Sequence, residues 1–418
     1  MLPKIQNSAG TDDPMRVLYS FAPKLDGQRI GYTAWQQING LAGAGVRVLA
    51  CPGVLRVPVP ADVTVRPTLS RGRLRISYKL VGRLRSYLLH DWIVARRLER
   101  LANEIDIVHA WPLGALETLK AARRLGIPTV LERPNCHTRF AYEVVQRECD
   151  RIGVSLPADH EHAYNAAVLK REEAEYALAD RLLCPSDFVV QTFLNEGFPP
   201  DKLVRHSYGF DEKRFYPDPM RQPKPGLTVL FAGVCAVRKG LHFALEAWLK
   251  SPASRDGVFL IAGGFIPGYA EKLADMLRHP SVRVLGHRND IPELMRQSDI
   301  LVLPTIEEGS ALVTAEARGS GCVLVVSDAA GANSKHLENA LVHRAGDVET
   351  LTQHLTLLHE NRSLLERLRT ASLASVHEIT WSAAGLRLYK IYRKAIAAKR
   401  EQLWSNSDNS VPESLVRE

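Results

Sequence analysis

Short apolar runs alternate with segments of helical length along nearly all of the 418-residue chain, and that alternation leaves few folds open. In the first half the runs are Arg16 to Phe21, Val46 to Ala50, Ile105 to His109, Pro128 to Leu131 and Arg181 to Cys184. In the second half they are Leu227 to Ala232, Val258 to Ala262, Val282 to Leu285, Ile300 to Leu303 and Val323 to Ser327. A strand that is apolar throughout must be covered on both faces, and strands separated by helices pair in parallel. The pattern therefore predicts parallel sheets with helices on both sides. Residues 217–226, with four prolines and a glycine, read as a linker between two such units. The expected organisation is an N-terminal α/β domain over 15–216, a C-terminal one over 217–383, a terminal helix over 384–400 and a polar tail over 401–418.

Composition excludes several classes. With 45% hydrophobic and 24% charged residues the chain reads as globular and soluble. It has no run of 18 apolar residues, and Met1 to Pro14 is polar, so neither a spanning helix nor a signal peptide is expected. The six cysteines are scattered without a Cys-x-x-Cys pair and read as reduced thiols of a cytoplasmic protein. No Gly-x-Gly-x-x-Gly follows the first strand, so the dinucleotide fingerprint is absent.

The net charge of +8 is concentrated: residues 16–100 carry 15 Lys and Arg against 4 Asp and Glu, leaving the remainder slightly acidic. Such a region attracts anions, whether phospholipid head groups, nucleic acid or phosphorylated substrates. Over 71–100, Ile76, Leu80, Leu84 and Leu88 recur every fourth residue with Arg75, Lys79, Arg83 and Arg85 between them. A helix of this kind lies on an anionic membrane surface, or packs on a sheet with its charged face solvated.

Three loops carry candidate chemistry. Pro304 to Gly321 reads as the end of a buried strand, a turn at Glu307-Glu308-Gly309-Ser310, and a helix from Ala311. That order aims backbone N–H groups and a partial positive charge at whatever lies above the strand. Glu308 and Glu316 bracket the helix start with seven residues between them, which suits one carboxylate for sugar hydroxyls and the other for a ribose diol. Two solvent-exposed glutamates at a helix N-terminus are the plainer alternative. Gly233 to Gly240 repeats the strand-loop-helix order with Arg238 and Lys239 at the helix entrance, either to neutralise a diphosphate or as a solvated basic turn. His137 lies in the loop Glu132 to Arg139 after a strand of the first domain, where open α/β sheets place ligand contacts, although a lone loop histidine is also a common structural residue.

Taken together, these segments resemble the retaining glycosyltransferases of family 4, which have the GT-B fold. The strand followed by Pro-x-x-x-Glu-Gly-x-x-Leu-x-x-x-Glu-Ala is similar to the family's Glu-x7-Glu signature, and Gly233 to Gly240 to its diphosphate loop. Ala179-Asp180 with Ser186, Tyr208 to Asp211, and Asp290 to Asp299 fit further segments, and the likeness runs from about residue 16 to 395. The resemblance implies two doubly wound Rossmann-like domains facing across a cleft, with the terminal helix crossing back onto the first.

It also implies residue roles. Glu316 would hold the ribose and Glu308 the donor sugar. The amides of Gly309, Ser310, Ala311 and Leu312 would bind sugar and phosphate oxygens. Gly233, Arg238 and Lys239 would cradle the leaving diphosphate, and His137 would face the donor sugar. The chain departs from the family in places. Val234 stands where the family has an arginine, so Arg238 substitutes for it or Lys239 acts alone. Glu-Gly-Ser-Ala replaces Glu-Gly-Phe-Gly, and Gly27 and Gly31 stand in for paired glycines near the first helix.

The expected function is metal-independent, retaining transfer of a sugar from a UDP-, GDP- or ADP-sugar to a hydroxyl of a glycan or glycolipid, as in polysaccharide biosynthesis. No cofactor and no nucleic-acid partner are expected. The place expected is cytoplasmic, with peripheral association at the inner face of an anionic membrane through the 71–100 segment. A nucleotide-sugar epimerase of the same architecture and a non-catalytic nucleotide-binding scaffold are the alternatives.

Overall fold

The computed structural model describes residues 14–72, 74–76, 78–222 and 224–408. The first half opens with β1 (Arg16–Leu25), α1 (Arg29–Gly43), β2 (Arg47–Leu55) and the two-residue β3 (Thr64–Val65). A small antiparallel hairpin, β4 (Ser70–Arg71) and β5 (Leu74–Arg75), leads into α2 (Tyr78–Val81) and α3 (Arg83–Arg100). Then come β6 (Ile107–Ala110), α4 (Leu116–Arg124), β7 (Thr129–Glu132), α5 (Thr138–Ile152), α6 (Ala166–Leu178), β8 (Arg181–Cys184), α7 (Asp187–Asn195) and β9 (Leu203–Arg205). Seven strands form one parallel sheet in the order β3-β2-β1-β6-β7-β8-β9.

The second half holds β10 (Thr228–Ala232), α8 (Leu241–Lys250), β11 (Val258–Ala262), α9 (Tyr269–Lys272), α10 (Ala274–Leu277), β12 (Val282–Gly286), α11 (Ile291–Gln297), β13 (Ile300–Leu303), α12 (Leu312–Gly319), β14 (Val323–Ser327) and β15 (Ala340–His343). α13 (Val348–Glu360), α14 (Arg362–Ala374) and α15 (Trp381–Asp408) follow. Its six strands are also parallel, in the order β12-β11-β10-β13-β14-β15. β10, β13 and β14 are buried along their whole length, as sheets covered on both faces require.

One device sets strand starts three times. An aspartate just before a strand accepts the first backbone N–H of the neighbouring strand: Asp106 from Arg16 at 2.7 Å, Asp180 from Thr129 at 2.9 Å, and Asp299 from Thr228 at 2.8 Å. Each carboxylate satisfies a donor that the ladder leaves unpaired and fixes its local register.

The terminal helix departs from expectation: it begins at Trp381 and runs to Asp408, eight residues beyond Arg400, so the start of the expected tail is helical. Residues 409–418 lie outside the described residues. α15 crosses onto the first domain. Gly40 and Gly385 let the backbones of α1 and α15 touch, since a Cβ on Gly40 would stand 2.9 Å from the Gly385 Cα. Tyr392 Oη lies 2.5 Å from His109 Nδ1 inside the first domain.

Two further corrections concern the first half. The single amphipathic helix expected over 71–100 is broken, because Gly82 adopts φ +86° between α2 and α3. Its exposed stripe is therefore Val81, Arg85, Leu88, Trp92 and Arg96, while Leu84 turns partly inward. α5 went unforeseen, and it joins the halves: Val145 and Cys149, with Val154 just beyond, belong to the hydrophobic core of the second sheet.

Candidate functional site

Loops from the carboxyl ends of both sheets meet at one place. After β13, Glu307, Glu308 and Gly309 turn toward the first domain, and after β7, Pro134 to His137 turn toward the second. A Cβ on Gly309 would stand 1.8 Å from the Pro134 carbonyl oxygen, so only glycine permits the approach. Ser186, which also caps α7 through Val189 N, donates from Oγ to the Gly309 carbonyl at 2.6 Å. The N-terminus of α12 is thus held against the first domain by backbone contacts.

The two candidate cations reach the acidic loop of the signature. Arg238 Nη1 donates to Glu308 Oε2 at 3.0 Å and to Glu307 Oε1 at 3.1 Å, and Lys239 Nζ pairs with Glu308 Oε2. Gly240, in a left-handed conformation at φ +71°, lies so close to Pro304 that a Cβ would stand 2.0 Å from its carbonyl oxygen, which presses the loop Gly233 to Gly240 onto the end of β13. Gly233 adopts φ +135°, with nothing within 4 Å of where its Cβ would be, so that turn is open. Glu308 was expected free for a sugar. In this state it is the counter-ion of Arg238 and Lys239.

Glu316, one turn into α12, is half-buried, and among the described residues its carboxylate makes no hydrogen bond or ion pair. Burial pushes its carboxyl up to about 7; Arg214 opposes this and Asp211 adds to it. Leu312, the first residue of α12, packs against the cluster of Tyr208, Trp381 and Ala384, on which Tyr32 of α1 also rests. Gly31 lies in the first turn of α1, where a Cβ would meet Asp26 Oδ1 at 2.6 Å. Of the amides expected to bind the donor, Ala311 N is already used by Ala330 O at 3.2 Å, which leaves Gly309, Ser310 and Leu312.

His137 is the clearest departure. It is 1% exposed, its ring lies 5.0 to 5.9 Å from those of Tyr176, Phe193 and Phe198, and burial followed by Arg133 and Arg139 lowers its pKa to about 3. Among the described residues it makes no hydrogen bond or ion pair with Arg238, Lys239 or Glu308. The structure instead adds residues to which the sequence gives no role in the site: Glu307, His162 and Cys136 (which reads in the sequence as small apolar filler) around the cations, and Asp211 and Arg214 beside Glu316. The run Glu307-Glu308 was a signal, but nothing in it says which glutamate is buried.

Two parallel α/β domains with opposed carboxyl-end loops, a paired-cation turn and a carboxylate on the facing helix define the GT-B architecture of glycosyltransferases. Residues 30–214 match the family model described as Glycosyltransferase Family 4, and residues 226–361 match that described as Glycosyl transferases group 1. The chain belongs to the family 4 type of GT-B glycosyltransferases.

Curated relatives match part of the chain, and two of them are bacterial transferases. It is 27% identical over 219 residues to the N,N'-diacetylbacillosaminyl-diphospho-undecaprenol alpha-1,3-N-acetylgalactosaminyltransferase of Campylobacter jejuni, covering 48% of this chain and 57% of that protein. It is 30% identical over 92 residues to the UDP-Gal:alpha-D-GlcNAc-diphosphoundecaprenol alpha-1,3-galactosyltransferase of Escherichia coli, covering 22% and 24%. The chain thus matches well under two thirds of either relative's length. The crystal structure of Anabaena Alr3699/HepE in complex with UDP is similar in fold, with a TM-score of 0.62 and 15% identity over 91% of this chain and 100% of that one.

Proposed function

We propose that the protein transfers a hexose, with retention, from a UDP-sugar to a hydroxyl of a diphosphate-linked lipid glycan. The observation that carries this reading is the convergence of Arg238, Lys239 and Glu308 at the loop before α12, with Glu316 unpaired further along the same helix. The substrates named for the two bacterial relatives and the UDP held by the Anabaena neighbour support the choice of nucleotide and acceptor class.

The ionic cluster has a defined task in this reaction. An arriving diphosphate replaces Glu308 as the partner of Lys239 and of part of Arg238. Glu308 is then free to accept hydrogen bonds from donor-sugar hydroxyls, and Glu316 accepts them from the ribose. As the bond from the anomeric carbon to the diphosphate oxygen breaks, negative charge grows on that oxygen. The two cations and the first-turn amides of α12 stabilise it. The acceptor oxygen bonds to the anomeric carbon on the face just vacated, and its proton passes to the departing diphosphate oxygen. The chemistry needs no metal, because the cations supply the positive charge.

The acceptor side falls to the basic first domain, where a lipid-linked substrate requires contact with a membrane. No helix among the described residues is long and apolar enough to cross one. The exposed face of α2 and α3 suits an anionic surface instead, with Leu80 88% and Trp92 54% exposed among Arg83, Arg85 and Arg96. The protein would then work as a peripheral enzyme on the cytoplasmic side.

A thermal-shift panel with UDP, GDP, ADP and their sugars tests the donor class. Selective stabilisation by UDP and UDP-hexoses is expected. Equal response to all three nucleotides, or to none, overturns the assignment, and epimer formation without acceptor would point to the epimerase.

A further inference from the structure

Glu307 takes no part in the reaction just described, yet it is fully buried and ionically the most crowded carboxylate of the cleft. On its own side it accepts from Arg238 Nη1 at 3.1 Å. From the first domain it meets His162 Nε2 at 2.9 Å and accepts from Cys136 Sγ at 3.2 Å. Burial alone would raise its pKa, but His162 and Arg238 more than offset this and hold it well below the usual carboxylate range. Burial, with the Glu307 carboxylate next, pushes the Cys136 thiol well above its usual range, so that sulfur keeps its proton to donate.

Arg238 is held by one arm only. Nη1 serves both glutamates, whereas Nε and Nη2 make no hydrogen bond among the described residues. Its backbone is fixed as well, since its carbonyl accepts from Thr305 Oγ1 at 2.7 Å and Ile306 N at 2.9 Å. A guanidinium anchored at one nitrogen presents its remaining donors in a set plane, the geometry that two oxygens of a phosphate need.

We propose that Glu307 is a positioning residue: it aims the free edge of Arg238 at the donor's β-phosphate. His162 and Cys136 make that aim depend on the first domain being seated against the second. This rests on the UDP-sugar reading of the site. It also explains how Arg238 takes over where Val234 replaces the family's arginine: Val234 is exposed on the open turn, and Arg238 gains its orientation from a carboxylate instead.

The test is a binding cycle on the full chain with UDP and UMP as probes, measured by calorimetry. Arg238→Ala should weaken UDP by about 10- to 100-fold, the range of a charge-assisted contact, and change UMP little. Glu307→Gln should lose nearly as much on UDP alone, and the double variant should bind UDP no more weakly than Arg238→Ala. His162→Ala and Cys136→Ala should each show a smaller UDP-selective loss that vanishes in the Arg238→Ala background, which keeps the test open if Glu307→Gln fails to fold. Multiplying effects in the double variants, or equal loss of UMP, would overturn the positioning role while leaving the donor site standing. Wild-type protein that binds UDP no better than UMP would overturn both.

Discussion

The backbone of Gly309 lies against the carbonyl of Pro134, so close that a methyl group on Gly309 would stand 1.8 Å from the oxygen. One glycine thereby joins the second domain's loop after β13 to the first domain's loop after β7. Below it, a Cβ on Gly331 would stand 2.2 Å from the Gly309 carbonyl oxygen, so the loop is confined from both sides. Gly309→Ala must displace backbone on one side or the other, and overpacking of this kind costs about 1–3 kcal/mol. The variant should melt several degrees lower and lose most transferase activity. An unchanged melting temperature with full activity would show that this contact does not form in solution.

Glu316 predicts two pH effects of opposite use. Its folded pKa of about 7 lies above that of an unfolded glutamate, so the folded protein holds the extra proton between roughly pH 4.5 and 7. Stability from this group is full below that window and falls as pH rises through it, by at most about 3 kcal/mol and less where water screens a partly exposed carboxyl. Glu316→Gln should therefore gain stability relative to wild type as pH rises from 5 to 7, with no further gain above. Donor binding should run the other way, because in the proposed site the ribose hydroxyls would donate to the carboxylate. Affinity for UDP-galactose, whose diphosphate does not titrate here, should fall toward tenfold per unit below pH 7 and lose that slope in Glu316→Gln. A flat wild-type profile in both measurements would remove Glu316 from the ribose site.

Strands were the legible part of the sequence because β10, β13 and β14 are buried on both faces and appear as unbroken apolar runs. α5 was not, although Ala141, Val145 and Cys149 recur every fourth residue, because charged side chains interrupt every turn and its apolar face is split, Ala141 packing in the first domain's core and Val145 and Cys149 in the second's. Among site residues the separation was similar. Arg238, Lys239, Glu308 and Glu316 sit on loops and helix starts whose spacing is local. The burial of Glu307 depends on His162 and Cys136, far away in sequence, and adjacent glutamates look alike until their partners are known. The enclosure of His137 was hidden for the same reason, since the aromatic rings around it come from α6, α7 and the residues just after α7.

The paired cations lead to a metal prediction. No Asp-x-Asp pair stands in the second domain, and in the proposed reaction Arg238 and Lys239, both paired with Glu308, are the source of positive charge for the leaving diphosphate. Transfer should persist in EDTA. Lys239→Ala and Arg238→Ala should each lower kcat by about 10²- to 10³-fold, the usual cost of losing one donor to a developing oxyanion. Both proteins should stay folded by circular dichroism. Activity lost in EDTA and restored by manganese would contradict the metal-free reading, and full activity in both variants would contradict the site.

The face of α2 and α3 leads to the last prediction. Leu80, Val81, Leu88 and Trp92 are exposed at 88%, 38%, 39% and 54%, which is unusual for large apolar side chains. The Arg96 guanidinium lies 6.0 Å from the centre of the Trp92 ring, and Arg83 and Arg85 are exposed nearby. Apolar side chains entering an interface supply binding through buried area, and each arginine near an anionic surface adds about 1 kcal/mol. The protein should therefore sediment with vesicles containing phosphatidylglycerol and not with pure phosphatidylcholine, with an affinity that falls as salt rises. Leu80→Ser with Trp92→Ser should weaken binding at every salt concentration, whereas Arg83→Glu with Arg85→Glu should mainly reduce the salt dependence. Equal sedimentation with both kinds of vesicle would show that the stripe has no preference for anionic lipid. Wild-type binding in both double variants would place any membrane contact elsewhere on the first domain.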